Sequence, residues 1–199
     1  MKKILFLLLL FPFISIYSQN PDINILKDIN LNRYRQMDGT FRFISNSVTP
    51  VSMCTPVLLL GFGCIIKDSI MRQKALCIGA SVITGAIITT VLKHSINRTR
   101  PFVTYPYIEH VTEAGSPSFP SGHTSDAFAF ATSVSLAYPK WYVSIPSYAY
   151  AGAVGYSRMH LGVHYPSDVL MGAIIGGGSA YLCYKGQQWL QHKKTKIKN

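Results

Sequence analysis

Charge is scarce in this sequence, and acidic charge scarcest: 14% of the 199 residues are charged, and 8 acids stand against 19 bases. So small a charged fraction beside 48% hydrophobic residues is low for a soluble domain and points to helices facing lipid. No Pro/Gly/Ser-rich linker divides the chain, so its length suits one domain. Cysteines are few. Cys54, Cys64, Cys77 and Cys183 all fall in apolar stretches, with no CxxC pair and no His at metal-ligand spacing. The pattern argues against a zinc site and reads as buried thiols, with a structural disulfide open in an oxidising compartment.

What is present is a formal net charge of +11, unevenly distributed. Much of it lies in Lys2 and Lys3 and in the terminal run Lys193, Lys194, Lys196 and Lys198. Lys93, Arg98, Arg100 and Arg158 instead flank apolar segments. No basic stripe interleaved with aromatics occurs, so nucleic acid is not an expected partner, whereas a membrane and an anionic substrate are.

Residues 1–18 have a basic start, an apolar run over 4–17 and the small Ser18, as in an export signal cleaved before Gln19 or an uncleaved first membrane helix. Pro12 and the shortness of the run favour cleavage. Residues 19–47 are more polar. Ile23, Leu26, Ile29 and Ile25 recur there at helical spacing, which predicts a short interfacial helix or a surface helix packed on the domain.

Five apolar segments follow, at residues 48–66, 75–92, 124–138, 141–156 and 169–184. The fold class expected is all-α, a helical bundle with about five to six membrane helices. The last three segments are short against the roughly 20 residues that cross a bilayer core, and by length alone they also suit a soluble bundle. Charge placement argues for the membrane. Alternation puts Lys67, Arg72, Lys74, Lys140 and a basic tail at 187–199 on the cytoplasmic side, the positive-inside pattern. It puts residues 93–121 and 157–168 together on the outer face of an inner membrane. Gly79, Gly85, Gly172, Gly176, Gly177 and Gly178 would permit close helix packing, or mark helix ends.

The chemistry-bearing residues sit in those two outer stretches. Lys93 and Arg100 follow a long apolar helix, with Pro101 ending it; two cations there either bind an anion or simply flank a membrane boundary. Pro120-Ser121-Gly122-His123 opens the next helix. Ser121 is a good N-cap, Gly122 lets a ligand approach the backbone, and the free N–H groups of the first turn suit a phosphate. Ser157-Arg158 precedes His164 and Asp168. Pro166 predicts a helix start that places Asp168 in its first turn, within reach of one imidazole nitrogen of His164, leaving the other free to attack.

Together, Lys93-x6-Arg100-Pro101, Pro120-Ser121-Gly122-His123 and Ser157-Arg158-x5-His164-x3-Asp168 resemble the three-part signature of the type-2 phosphatidic acid phosphatase superfamily, and all eleven positions match. The likeness covers residues 48–186. It implies that Lys93, Arg100 and Arg158 bind phosphate oxygens with Ser121 and the Gly122 backbone. It implies His164 as nucleophile, Asp168 as its orienting partner and His123 as acid for the leaving group, with no metal or other cofactor.

The reaction so implied is hydrolysis of a lipid phosphomonoester or pyrophosphate, such as a polyprenyl pyrophosphate, phosphatidate, phosphatidylglycerophosphate or a lipid A phosphate. The alternatives are a secreted soluble acid phosphatase or vanadate haloperoxidase of the same superfamily, and a non-catalytic protein binding anionic lipid. Retention of both histidines and Asp168 speaks against the last, since binding alone needs only the cations. His94, His110, His160 and His192 have no partner at useful spacing and read as boundary or surface residues, and Glu109 and Glu113 as solvated loop charges. Tyr105, Tyr107, Trp141 and Tyr142 read as interfacial aromatics or packing groups.

Overall fold

The computed structural model describes residues 20–198; the proposed signal or first helix at 1–18 lies outside them. Every regular element among the described residues is helical. Helix α1, Pro21–Leu31, starts at Asn20, whose side chain accepts from the Asp22 N–H, with proline in the first turn where no N–H is missed. A 3-10 turn, Arg35–Met37, leads into α2, Asp38–Asn46, and then α3, Val48–Ile65. Helix α4, Ser69–Ile96, is capped by Asp68, which accepts from the Ile70 and Met71 N–H groups. The single turn α5, Pro101–Thr104, precedes a long loop. Helices α6, Gly122–Ala137, α7, Trp141–His160, and α8, Pro166–Lys198, complete the chain.

Each apolar run seeds a helix, and several helices extend past their runs: α4 begins at Ser69, α7 continues to His160, and α8 runs on through residues read from sequence as a tail. Among the described residues two helical stretches, Arg35–Ile65 and Ser69–Thr104, meet the length and apolarity required to cross a membrane. Only 22% and 33% of their most apolar windows are buried. A soluble core helix would be mostly covered. Instead Leu58, Ile65, Ile87 and Val91 on these helices, and Leu170 and Leu182 on α8, lie exposed. Such a surface suits hydrocarbon rather than water.

Helix α6 is the axis of the bundle, flanked by α8, α7, α4 and α3. Its contact with α8 is set by absent side chains. A Cβ on Gly176 would come within 2.1 Å of the Ser125 carbonyl oxygen, and one on Gly172 within 2.6 Å of the Ser121 oxygen. Such small residues let two backbones meet. By contrast, a Cβ on Gly178 would meet nothing within 4 Å, so that glycine serves no such packing. On the opposite flank, Ala127 and Ala131 pack with Val48, Ala151 and Val154.

The bundle has two chemically distinct ends. At one, Gln73 of α4 bonds Gln187 of α8, and Lys74 lies over the Tyr138 ring at the end of α6. At the other, the ends of α4, α7 and the starts of α6 and α8 converge. Helix α1 packs over this second end, burying Ile23 and Leu26 against Ile108 and Tyr165.

Candidate active site

Local sequence explains why each polar side chain reaches that end. Helix α4 stops where Asn97 takes a left-handed conformation (φ 49°), a geometry asparagine tolerates. Arg100 is extended, as a residue before proline must be, so it leaves the helix line and turns its guanidinium inward. The chain between α7 and α8 turns at Gly162 (φ 73°); a Cβ there would also strike the Glu109 carbonyl oxygen at 2.2 Å. Pro166 opens α8, and Asp168 sits in its first turn, as the sequence predicts.

His164 and Asp168 form the centre, with side chains 2% and 0% exposed. The His164 Nδ1 lies 3.4 Å from Asp168 Oδ2, and its Nε2 lies 3.3 Å from Arg100 Nη1. Arginine only donates, so Nε2 accepts and the ring proton belongs on Nδ1, facing the carboxylate. Both contacts assign the same tautomer. Burial, the largest cause, pushes the His164 pKa down to about 3; the Arg158 and Arg100 charges add to this, and the Asp168 hydrogen bond opposes it. The imidazole is therefore neutral at physiological pH.

Asp168 is held by more than histidine. Its Oδ2 also accepts from Ser118 Oγ and from the Tyr165 N–H at 3.0 Å, while Oδ1 accepts from Arg98 Nη1 at 2.7 Å. The segment Ser116 to Ser121 is strapped across the site by the same residues. Arg100 Nε donates to the Ser116 carbonyl at 2.8 Å, Lys93 Nζ to the Pro117 carbonyl at 2.7 Å, and the Ser121 N–H to the Asp168 carbonyl at 3.0 Å.

The expected cations thus gather. Arg158 is 3% exposed; its Nη1 donates to Ser45 Oγ of α2, and its buried Nε has no hydrogen-bond partner among the described residues. His123, in the first turn of α6, lies close enough to feel the charges of Arg158, Arg100 and Lys93. The Lys93 stem lies against the same turn, 3.9 Å from where a Gly122 Cβ would be. One expectation is corrected. Ser121 occupies the N-cap position of α6, but its hydroxyl makes no capping bond and pairs instead with Thr124 Oγ1 at 2.8 Å. The side chain finds a nearer partner on its own helix, and the first-turn N–H groups keep no hydroxyl.

Two bland sequence readings are also corrected. His160 is neither a boundary nor a surface residue: it is buried, bonds Asp38 Oδ1 through Nε2 at 2.8 Å and packs at a tilt against the Phe41 ring. Glu109 is not merely solvated. Its carboxylate pairs with Arg33 and Arg35, and its backbone is clasped by the Asn30 side chain, which also donates to the His160 carbonyl. Sequence reasoning missed Arg98, Ser118, Ser45 and Asp22. Arg98 lay in plain view between Lys93 and Arg100, whereas Ser45 and Asp22 carry no local signal. Among the described residues no three His, Cys, Asp or Glu side chains converge as metal ligands would.

Residues 74–192, more than half of the chain, match the profile of the PAP2 superfamily. The chain belongs to that superfamily. It is 31% identical to an undecaprenyl-diphosphatase of Sulfolobus acidocaldarius over 189 residues, covering 88% of this chain and 87% of the relative. It is 34% identical to the lipid A 4'-phosphatase of Bacteroides thetaiotaomicron over 99 residues, 50% of this chain and 42% of that one. The chain thus spans well under two thirds of the length of the lipid A phosphatases it matches. Among solved structures, this PAP2 chain superposes on Aquifex aeolicus LpxE with a TM-score of 0.71 and 26% identity, covering 85% of this chain and 98% of that one. A Bacillus subtilis transmembrane PAP2-type phosphatidylglycerolphosphate phosphatase gives a TM-score of 0.69 and 25% identity, with 94% of each covered. The likeness to these membrane phosphatases and the exposed apolar helices make the chain a membrane-associated, all-α PAP2 protein.

Proposed function

We propose that this protein is a membrane phosphatase that hydrolyses a lipid phosphomonoester or pyrophosphate through a phosphohistidine at His164. The observation that carries the reading is the buried Arg158 Nε without a hydrogen-bond partner among the described residues, beside Arg100, Lys93 and the open first turn of α6. A buried guanidinium N–H left unpaired is costly, and phosphate oxygens are its natural acceptors.

His164 Nε2 exchanges its bond to Arg100 for one to phosphorus, and the bond to the leaving oxygen breaks. His123, which burial and the charges of Arg158, Arg100 and Lys93 hold neutral, takes up a proton once substrate phosphate offsets those charges, and gives it to that oxygen. Asp168 stabilises the positive charge the imidazole gains, while Lys93, Arg100, Arg158 and the Gly122 N–H take the charge on the phosphoryl oxygens, a task Mg²⁺ performs in many phosphoryl-transfer enzymes. His123, now a base, deprotonates a water that attacks phosphorus; phosphate leaves and His164 is free again.

A lipid substrate is supported by the apolar helices beneath the site, which let a hydrocarbon tail stay in the bilayer, and by relatives named for lipid A and undecaprenyl diphosphate. An inner-membrane location with the site on the outer, periplasmic face is supported by the basic residues at the opposite end of the bundle. The test is phosphate release by detergent-purified protein from matched lipid and water-soluble phosphomonoesters and pyrophosphates. Preference for the lipid members supports the reading; equal or better turnover of soluble ones contradicts it.

A further inference from the structure

We infer that Asp22 and Arg98 form a positioning couple for the His164–Asp168 pair, so that the amino-terminal segment completes the active site. The inference rests on the reading of His164 as nucleophile. Arg98 bridges two carboxylates, donating from Nη1 to Asp168 Oδ1 and from Nη2 to Asp22 Oδ2, each at 2.7 Å. Its guanidinium lies 3.9 Å from the centroid of the Tyr165 ring, which fixes its plane. Asp22 in turn accepts from the backbone N–H of Ser167 at 2.8 Å and from its hydroxyl. These bonds join α1 to the first turn of α8, next to Asp168, across 145 residues of sequence.

The charge count gives the couple its function. Arg98 offsets one of two carboxylates, so the trio of Asp22, Arg98 and Asp168 keeps one negative charge beside His164. That charge opposes Lys93, Arg100 and Arg158 as the imidazole becomes cationic on phosphoryl transfer. With Asp22 neutral, the full charge of Arg98 falls on Asp168 and the trio has no net charge. Residues 20–47 lie outside the region that matches the superfamily profile, so the couple joins that profile's His164–Asp168 pair to a residue the profile does not include.

The experiment compares wild type, Asp22→Asn, Asp22→Glu, Arg98→Gln and His164→Ala in one detergent, with unfolding midpoints as fold controls. Asp22→Asn is expected to lower kcat about tenfold with KM little changed, the size typical of losing an outer orienting partner, and to slow phosphoenzyme formation in a single turnover. Asp22→Glu restores much of the rate. Unchanged kcat in folded Asp22→Asn, or a change in KM alone, overturns the inference. Should Arg98→Gln fail to fold, Asp22→Asn decides, because it leaves the Arg98–Asp168 pair intact. Turnover surviving in His164→Ala would overturn the nucleophile assignment beneath it, and the inference with it; loss there with full kcat in Asp22→Asn overturns the positioning couple alone.

Discussion

Arg100 and His164 are in contact: the guanidinium Nη1 lies 3.3 Å from the imidazole Nε2, the nitrogen free of Asp168. The same guanidinium donates to the carbonyls of Val163 and Ser116, so Arg100 ties the nucleophile, its loop and the Ser116 to Ser121 strap to one point. Substrate phosphate has to take over one of these bonds. The fork geometry of arginine lets it do so without releasing the others.

Arg158→Lys therefore costs more than its conserved charge suggests. Lysine has no Nε and no planar fork, and its donors, all on one nitrogen, cannot be spread between Ser45 and a phosphoryl oxygen as those of the guanidinium are. Expected is a fall in kcat/KM of about 100-fold or more, the scale for losing one donor to a transition-state oxyanion. Steady-state kinetics on the preferred substrate check it, with Arg100→Lys as a second case.

Acid should weaken the fold through His164. Its pKa is about 3 in the folded protein against an ordinary 6.5, so the unfolded chain binds the extra proton between those values. Stability from this group is fully present above about pH 6.5 and is lost as pH falls from there toward 3. Thermal unfolding in detergent from pH 7 to pH 4 should show a declining midpoint, and His164→Gln a shallower decline.

Ser118 acts on the site through Asp168, to which its hydroxyl donates. Ser118→Ala removes one donor from a buried carboxylate that keeps Arg98 and the Tyr165 N–H. Expected is a loss of about 1 kcal/mol in stability, from unfolding midpoints, and a modest drop in kcat with KM unchanged.

Helix contact in the bundle core is tested at Gly176. Its missing Cβ would lie 2.1 Å from a backbone oxygen of α6 that cannot move alone. Gly176→Ala should cost about 1–3 kcal/mol through forced helix separation, whereas Gly178→Ala, with open space, should be near neutral. Paired unfolding curves distinguish them.

The helical class, the helix starts at Ser121 and Pro166 and the gathering of Lys93, Arg100, Arg158, His123, His164 and Asp168 were all legible in the sequence. The helices and their starts depend on local signals, a proline, an N-cap residue, an apolar run; the gathering followed from the alternation of apolar segments and from the resemblance in motif. The clasp over the site was not. Asn30, Arg33, Asp38 and Asp22 meet Glu109, His160 and Ser167 from 76 to 145 residues away, and pairing over such distances leaves no periodicity to read. His160 misled for the same reason, since its partner Asp38 lies 122 residues earlier. Ser121 misled differently: its position was right, but a hydroxyl three residues on competed successfully with the backbone.

The most direct test is phosphate release from a lipid phosphate substrate by wild type and His164→Ala, each purified in detergent and assayed in EDTA. Release by the wild type that persists in EDTA, and its loss in a folded His164→Ala, is the predicted result. Release that requires added metal, or that continues without His164, would contradict it.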